Sequence, residues 1–260
     1  MTTVDKHAPG TPGWFDLMTS DAEGARAFYG KLFGWTFDIR GPEHGHYAIC
    51  KLAGRNAAGI GAKPPGAQFP NVWSVYFMTD DIERACNRIR ESGGNVMMGP
   101  MDVGEEGRMA MAADATGAAF GIWQRIRHQG AMVKDEPGAM TWCEVNTRDA
   151  AKASAFYRAV FDLEARKLEV PGISYLTLHS GGADKPVCGI MQMDANWPQS
   201  VPAHWMAYFQ VENTDQACAR VTEIGGKVCI PAFDTPYGRI AVIEDPQGAM
   251  VSITQPPAAK

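Results

Sequence analysis

The chain contains 260 residues, of which 45% are hydrophobic and 20% charged, and its formal net charge is −5 at pH 7. This composition is typical of one large globular domain or two of ordinary size. No apolar run approaches the roughly 18 residues of a membrane span, the first residues lack the apolar stretch of a signal peptide, and no cluster of lysines and arginines marks a nucleic-acid surface. We therefore expect a cytoplasmic protein, monomeric or homodimeric, whose partner is a small molecule and neither a membrane nor a nucleic acid.

The six cysteines agree with a reducing compartment. They form no CxxC pair, and Cys86 and Cys218 fall at equivalent places inside two predicted helices. Cysteines in such positions usually behave as small buried hydrophobic residues. We expect neither a disulfide framework nor a zinc site.

The first predicted unit consists of a strand, a helix and three further strands. A strand begins at Trp14 and leads into Ser20-Asp21, a pair that is favourable at a helix N-cap. A helical apolar stripe follows, and Gly34 ends the helix. The residues of this stripe are Ala25, Phe28, Tyr29, Leu32 and Phe33. Strand-like runs then follow near residues 35–39, 46–52 and 57–62.

The same order then starts again and is repeated along the rest of the chain. A strand from Val72, a helix capped by Asp80-Asp81 and three more strands complete the first copy. The stretch WFDLMTSDAEGARAFYGKLFGW aligns with WCEVNTRDAAKASAFYRAVFDL, and GRMAMAADATGAAFGIWQ aligns with GRIAVIEDPQGAMVSITQ. We therefore predict four βαβββ units in two domains, with this division: 11–126, a linker at 127–137, and 138–256.

The βαβββ order, the Asp-capped helix ending in AFYGKLFGW, and the closing hairpins DATGAAFGIW and DPQGAMVSIT resemble the vicinal oxygen chelate superfamily. This superfamily includes glyoxalase I, the bleomycin-resistance proteins and the extradiol dioxygenases. The resemblance covers about residues 11–256, and the Trp-x-Asp/Glu opening is similar to that of two-domain, glyoxalase-like bacterial proteins. It implies an α+β fold in which the four units form two open eight-stranded cups in tandem, with a ligand or metal inside the cup.

The resemblance also implies where a metal would bind, and this sequence departs from that pattern. Metal-dependent members carry His at the start of a first strand, His or Gln at the start of a later strand, and Glu in a closing strand. The matching positions hold Trp14, Trp73 or Ser74, and Gly121 in the first copy, and Trp142, Trp205 or Met206, and Ser252 in the second. None of these residues is a plausible ligand of a divalent metal. We therefore predict neither a metal nor another cofactor.

The histidines do not offer a replacement set of ligands. His7 and His128 lie in segments that we expect to be flexible, and neither His179 nor His204 recurs in the other copy. Isolated histidines of this kind are usually surface or structural residues.

Both copies open with an acid two residues after a tryptophan. Residues i and i+2 of a strand face the same side, so Asp16 and Glu144 are expected to point into the cups. Desolvation raises the pKa of such a carboxylate, which makes both residues candidate catalytic bases or ligand anchors. The structural alternative is that each carboxylate binds nearby backbone or one of the repeated arginines, Arg108 and Arg239.

Further residues are predicted to line the cups and bind the substrate. Tryptophans open all four units, two tyrosines align in middle strands, and two arginines follow a glycine at a strand start. These candidates are Trp14, Trp73, Trp142, Trp205, Tyr47, Tyr175, Arg108 and Arg239. An apolar pocket with few polar anchors is the usual form of a small-molecule site. The open alternatives are that the tryptophans belong to the core and that the arginines cap hairpins.

These observations leave two functions open. In the first, the protein binds a small, flat or aromatic organic molecule in a mostly apolar cup without the family metal. It then either sequesters the molecule, as bleomycin-resistance proteins do, or acts on it by acid–base chemistry at a carboxylate. In the second, it is a metal-dependent lyase or dioxygenase of the same superfamily with unrecognised ligands. Because the family ligands are missing from both copies, the first function is favoured. Whether the chain is an enzyme stays open. It also stays open whether one of the cups is packed shut by its tryptophans and serves only as a scaffold.

Overall fold

The computed structural model describes residues 2–4, 6–170 and 172–257. The helices are α1 (Ala22–Phe33), α2 (Ile82–Glu91), α3 (Ala150–Phe161) and α4 (Thr214–Glu223), and a 3₁₀ turn spans Pro42–His44. The strands of the first half are β1 (Thr2–Thr3), β2 (Pro12–Thr19), β3 (Thr36–Ile39), β4 (Ala48–Leu52), β5 (Arg55–Ala62), β6 (Val72–Thr79), β7 (Asn95–Val103), β8 (Gly107–Ala113), β9 (Ala119–Arg125) and β10 (Val133–Lys134). The strands of the second half are β11 (Met140–Thr147), β12 (Leu163–Val170), β13 (Ile173–Ser180), β14 (Cys188–Gln192), β15 (His204–Gln210), β16 (Lys227–Thr235), β17 (Gly238–Glu244) and β18 (Met250–Gln255). Within the described ranges, no helix has the length and apolar character needed to cross a membrane.

Two eight-stranded sheets share one strand order. The first sheet runs β3-β4-β5-β2-β6-β9-β8-β7, and the second runs β12-β13-β14-β11-β15-β18-β17-β16. In the first sheet β2 is parallel to β5 and β6 is parallel to β9, while the other neighbours are antiparallel. The second sheet repeats this pattern strand for strand. The predicted α+β fold with two open eight-stranded cups is confirmed.

Each of the four α-helices is preceded by a residue whose side chain caps the first turn. Asp21, Asp81, Asp149 and Asn213 each accept a hydrogen bond from the backbone N–H three residues later. Each bond satisfies one of the donors that a helix start leaves unpaired. Helix α1 ends at Gly34, whose φ of 71° lies in the left-handed region that glycine adopts without strain.

One hydrophobic core joins the two halves. It lies on the sheet faces that carry the helices, and aromatic residues of each half pack against the other half. The ring of Phe77 stacks on that of Phe161 with 4.5 Å between centroids, and the ring of Phe33 lies 5.1 Å from that of Phe209. All four side chains are buried. The two cups therefore open on the outer faces of the molecule, away from this shared core.

Two matching chains of hydrogen bonds cross between the halves. In the first, Trp73 Nε1 donates to Tyr29 Oη at 3.0 Å, and Tyr29 Oη donates to Asp245 at 3.1 Å. Tyr29 and Trp73 belong to the first half and Asp245 to the hairpin of the second. The bonds therefore satisfy buried polar atoms at the interface.

The second chain is the reciprocal of the first. Trp205 Nε1 donates to Tyr157 Oη at 2.9 Å, and Tyr157 Oη donates to Asp114 at 2.7 Å. Both chains lie in the core, so the structure places Trp73 and Trp205 on the face opposite the cups and not beside the ligand position predicted for them.

The predicted linker packs over one end of the first sheet. Strand β10 pairs with β1, and the backbone N–H of Ala131 donates to Gly13 O at 2.8 Å. The backbone N–H groups of residues 126, 127 and 128 all donate to Glu106 O at 3.0–3.1 Å. His7, expected in a flexible segment, is buried, and its Nε2 lies 2.7 Å from Ala131 O. The linker is thus an ordered cover of the first cup.

Candidate functional site

The concave face of each sheet is lined by alternate residues of its strands; we call these faces cup 1 and cup 2, in chain order. In cup 1, Trp14 and Asp16 share one face of β2, whereas Phe15 and Leu17 point into the core. Because paired residues of neighbouring strands share a face, the register identifies whole rows. One row of cup 1 is Met98, Met111, Gly121, Tyr76 and Trp14. The equivalent row of cup 2 is Ile230, Val242, Ser252, Tyr208 and Trp142.

A buried carboxylate lies at the floor of cup 1. Asp16 is 5% exposed. The hydroxyls of Tyr47 and Tyr76 donate to its Oδ2 at 3.1 and 3.2 Å, and Trp14 Nε1 donates to Tyr47 Oη at 3.0 Å. The other oxygen, Oδ1, is buried and has no hydrogen-bond partner in the described part of the chain. Cup 1 therefore presents a carboxylate with one oxygen paired and one free.

Burial controls the protonation of this group. Desolvation raises the pKa of Asp16 to about 7, and the two tyrosine hydrogen bonds only partly oppose that rise. Desolvation also raises the pKa values of Tyr47 and Tyr76 well above the usual range, so both stay protonated donors. Asp16 can thus take up or give back a proton near neutral pH, which is the property of a general acid–base group.

Cup 2 holds a similar network around Glu144, which is also 5% exposed. Tyr175 donates to Glu144 Oε2 and Tyr208 donates to Oε1, both at 2.7 Å, and Trp142 Nε1 donates to Tyr175 Oη at 2.7 Å. Burial raises the pKa of Glu144, which the hydrogen bonds from Tyr175 and Tyr208 oppose. Unlike Asp16, Glu144 has a partner on each oxygen.

Glycines make room for the tyrosines. A Cβ at Gly59 would lie 1.9 Å from Tyr47 Oη, and a Cβ at Gly121 would lie 2.1 Å from Cδ1 of Tyr76. A Cβ at Gly189 would likewise lie 1.9 Å from Tyr175 Oη. Each ring therefore lies across a strand that carries no side chain at that point.

Sequence reasoning missed two members of these networks. Tyr76 and Tyr208 occupy equivalent positions in VYF and AYF, and each donates to the carboxylate of its cup. Both tyrosines recur at aligned positions of the two copies. Each lies two residues after the residue opposite the acid, Ser74 or Met206, and so shares its strand face. This pattern could have predicted that they bind the acids.

The two predicted arginines do not reach the cups. Arg108 donates to Glu83 of α2 at 2.9 Å, and Arg239 donates to Asp215 of α4 at 2.8 and 2.9 Å. Both side chains lie on the strand face that packs on the helices. Among the described residues, their carboxylate partners are surface acids and not the cup carboxylates. The structure therefore brings together tryptophan, acid and tyrosine in each cup, and leaves the arginines outside.

The linker adds His128 to cup 1. The imidazole meets the ring of Trp14 edge-on at 4.2 Å between centroids and that of Trp123 at 5.4 Å. Trp123 Nε1 donates to His128 O at 2.9 Å. Nε2 is buried without a partner in the described ranges, and desolvation lowers the pKa of His128 to about 4. The expectation of a flexible histidine is wrong here, because the linker backbone is anchored to Glu106 O.

The residues present do not fit the metal of the metal-dependent members. The register places Ser74 opposite Asp16 and Met206 opposite Glu144 on the cup faces. The position of the family glutamate is Gly121, which the ring of Tyr76 covers. Across residues 2–4, 6–170 and 172–257, no three His, Cys, Asp or Glu side chains are grouped as metal ligands. This donor set does not suit a divalent cation.

Paired βαβββ units that form open cups, each with a polar group at its floor, define a glyoxalase-like class of protein. The model of the Glyoxalase/Bleomycin resistance protein/Dioxygenase superfamily matches residues 11–122 and 139–253. The chain belongs to this superfamily.

Comparison with individual proteins agrees with this assignment. The chain is 38% identical to CFP32 of Mycobacterium tuberculosis, which bears a provisional glyoxylase name, over 98% of both chains. It is 36% identical to the anthracycline biosynthesis protein DnrV of Streptomyces peucetius, over 97% of this chain and 95% of that one. The Mn(II)-bound glyoxalase of Novosphingobium aromaticivorans superposes with a TM-score of 0.65 at 12% identity, covering 95% of this chain and 82% of that chain. At this identity the last comparison concerns the fold alone.

Proposed function

We propose that this protein binds a small organic molecule with a flat apolar ring system and a hydrogen-bond donor, and does so without a metal. The observation that carries the proposal is the free Oδ1 of Asp16, a buried carboxylate oxygen on the face of a cup walled by aromatic residues and methionines. A buried acceptor without a partner costs free energy. A ligand donor that reaches Oδ1 would recover that free energy on binding.

The same carboxylate supports acid–base chemistry on the bound molecule. A proton can move from a ligand O–H or C–H group to Oδ1, with the bonding electron pair staying on the ligand, and then return. This exchange needs no co-reactant. Tyr47 and Tyr76 hold the carboxylate in place through Oδ2 and leave Oδ1 for the ligand.

One of the relatives supports the same ligand class. The Streptomyces protein is named for the biosynthesis of anthracyclines, which contain flat, fused and hydroxylated ring systems. Such a molecule combines a large apolar face with hydroxyl donors. That combination matches a cup of aromatic walls and one buried carboxylate.

Binding of 2,6-dihydroxyanthraquinone tests the proposal, with tryptophan fluorescence and calorimetry as readouts. We expect binding that is unchanged after exhaustive treatment with a chelator, and elemental analysis that finds no stoichiometric Zn, Mn, Fe or Ni. At pH 8, where the Asp16 carboxyl is mostly ionised, Asp16→Asn should weaken binding about tenfold, because a charged acceptor of a hydrogen bond is replaced by a neutral one. Glu91→Gln removes an exposed carboxylate of α2 and should leave binding unchanged. Binding that disappears with chelation and returns with one metal would overturn the proposal.

A further inference from the structure

The two cups differ in which polar atoms are free. In cup 1, Asp16 Oδ1 and His128 Nε2 are both buried without partners among the described residues. In cup 2, both oxygens of Glu144 accept hydrogen bonds from tyrosines, and the buried atom without a partner among the described residues is the hydroxyl oxygen of Ser252, beside Tyr208. Buried polar groups in proteins are almost always paired. The unpaired carboxylate oxygen of Asp16 and the unpaired imidazole nitrogen beside Trp14 therefore indicate a site in cup 1 that a ligand would complete.

The linker accounts for part of this difference. It carries His128 over Trp14, which is only 3% exposed. The equivalent Trp142 of cup 2 is only partly buried. The duplicated fold thus provides two equivalent floors, and the linker modifies one of them.

The walls of the cups also differ. Where β7 and β8 pair, the cup-1 wall consists of Met98, Met101, Met109 and Met111. The equivalent wall of cup 2 consists of Ile230, Phe233, Ile240 and Val242. Methionine side chains are unbranched and adapt to irregular shapes, whereas three of the four cup-2 side chains are β-branched and therefore stiff. Cup 1 therefore has the more adaptable wall for a large ring system.

We propose that cup 1 is the selective ligand site, in which Asp16 Oδ1 and His128 Nε2 bind two separate polar groups at opposite ends of one flat, fused-ring ligand. This inference rests on the proposed function. Trp14 connects the two groups, since its ring meets His128 and its Nε1 binds the tyrosine that holds Asp16. His128 acts as a specificity-determining residue. Its imidazole is neutral at pH 7 because burial lowers its pKa to about 4, so Nε2 either accepts or donates according to the tautomer.

A pair of ligands tests the inference on the full chain. The first, 2,6-dihydroxyanthraquinone, has hydroxyls at both ends, and the second, 2-hydroxyanthraquinone, has one. We expect the wild type to bind the first about tenfold more tightly, since one additional buried hydrogen bond is formed. In His128→Phe, which keeps a ring and removes both nitrogens, that preference should fall to within about twofold. A general loss of stability would weaken both affinities alike, so it would not change their ratio.

A matched variant in cup 2 tests whether the ligand binds in cup 1. Glu144→Gln changes the equivalent network of cup 2 and should leave the preference unchanged. A preference that persists in His128→Phe, or one that disappears in Glu144→Gln, overturns the inference while leaving ligand binding intact. Failure of the wild type to bind either anthraquinone overturns the proposed function itself. If His128→Phe does not fold, His128→Leu, which also removes both nitrogens, provides the same comparison, with a preference reduced at least threefold as the supporting result and an unchanged preference as the contrary one.

Discussion

Burial raises the pKa of Asp16 from 3.8 to about 7, and this links folding to pH. The folded protein holds the carboxyl proton up to a higher pH than the unfolded chain does. The resulting stabilisation is complete below pH 4 and is lost as pH rises towards 7. One pKa unit corresponds to about 1.4 kcal/mol, so the loss between pH 5 and pH 8 is on the order of 2–3 kcal/mol.

Asp16→Asn removes this titration. Between pH 5 and pH 8 the variant should therefore lose about 2–3 kcal/mol less unfolding free energy than the wild type does. Urea unfolding at four pH values measures both proteins. The pKa of His128 is lowered to about 4, so its contribution to stability changes with pH in the opposite direction. Subtracting the unfolding free energy of the variant from that of the wild type at each pH cancels this contribution. Parallel pH profiles for the two proteins would show that Asp16 is not desolvated as described.

Helix α3 helps to join the two halves of the molecule. Its residue Tyr157 donates to Asp114 and accepts from Trp205, and it thereby joins the two halves. Removing the hydroxyl leaves an indole N–H and a carboxylate oxygen unpaired in the core. Each unpaired group costs about 1–3 kcal/mol.

Tyr157→Phe should therefore lower the unfolding free energy by about 2–4 kcal/mol. Ligand binding at the cups should persist, because Tyr157 lies on the opposite face of the sheet. Tyr237→Phe is the matched control, since that side chain is 58% exposed, and it should change stability by less than about 0.5 kcal/mol. Denaturant unfolding at pH 7 measures both variants. Equal stability of the two would contradict a joining role for Tyr157.

At the scale of the whole molecule, each half buries aromatic side chains against the other. Phe77 and Phe161 stack across the interface, and Phe33 packs against Phe209. Burial of one such side chain contributes roughly 1.5–3 kcal/mol. Separation of the halves would expose these rings to water and leave Asp114 and Asp245 without their tyrosine partners.

Residues 138–257 expressed alone should consequently not remain a folded monomer. We expect dimers or aggregates in light-scattering measurements after gel filtration, because the exposed aromatic face favours association. Exchanging Phe161 and Phe209 for serine should reduce that association, while exchange of the outer Ile173 and Ile230, both exposed in the full chain, should not. A monodisperse, cooperatively unfolding monomer of the unmodified fragment would show that the shared core is dispensable.

The sequence by itself determined the repeated βαβββ units, their capped helices and the acid two residues after each leading tryptophan. These features depend on periodicity and capping, which are local properties of the chain. Only the tertiary structure decided which face Trp73 and Trp205 occupy, because a shift of one residue in strand register exchanges the cup and core faces. It also decided that Arg108 binds Glu83 and that His128 covers cup 1. Those contacts join segments far apart in the chain, and their geometry follows from packing against the folded sheet.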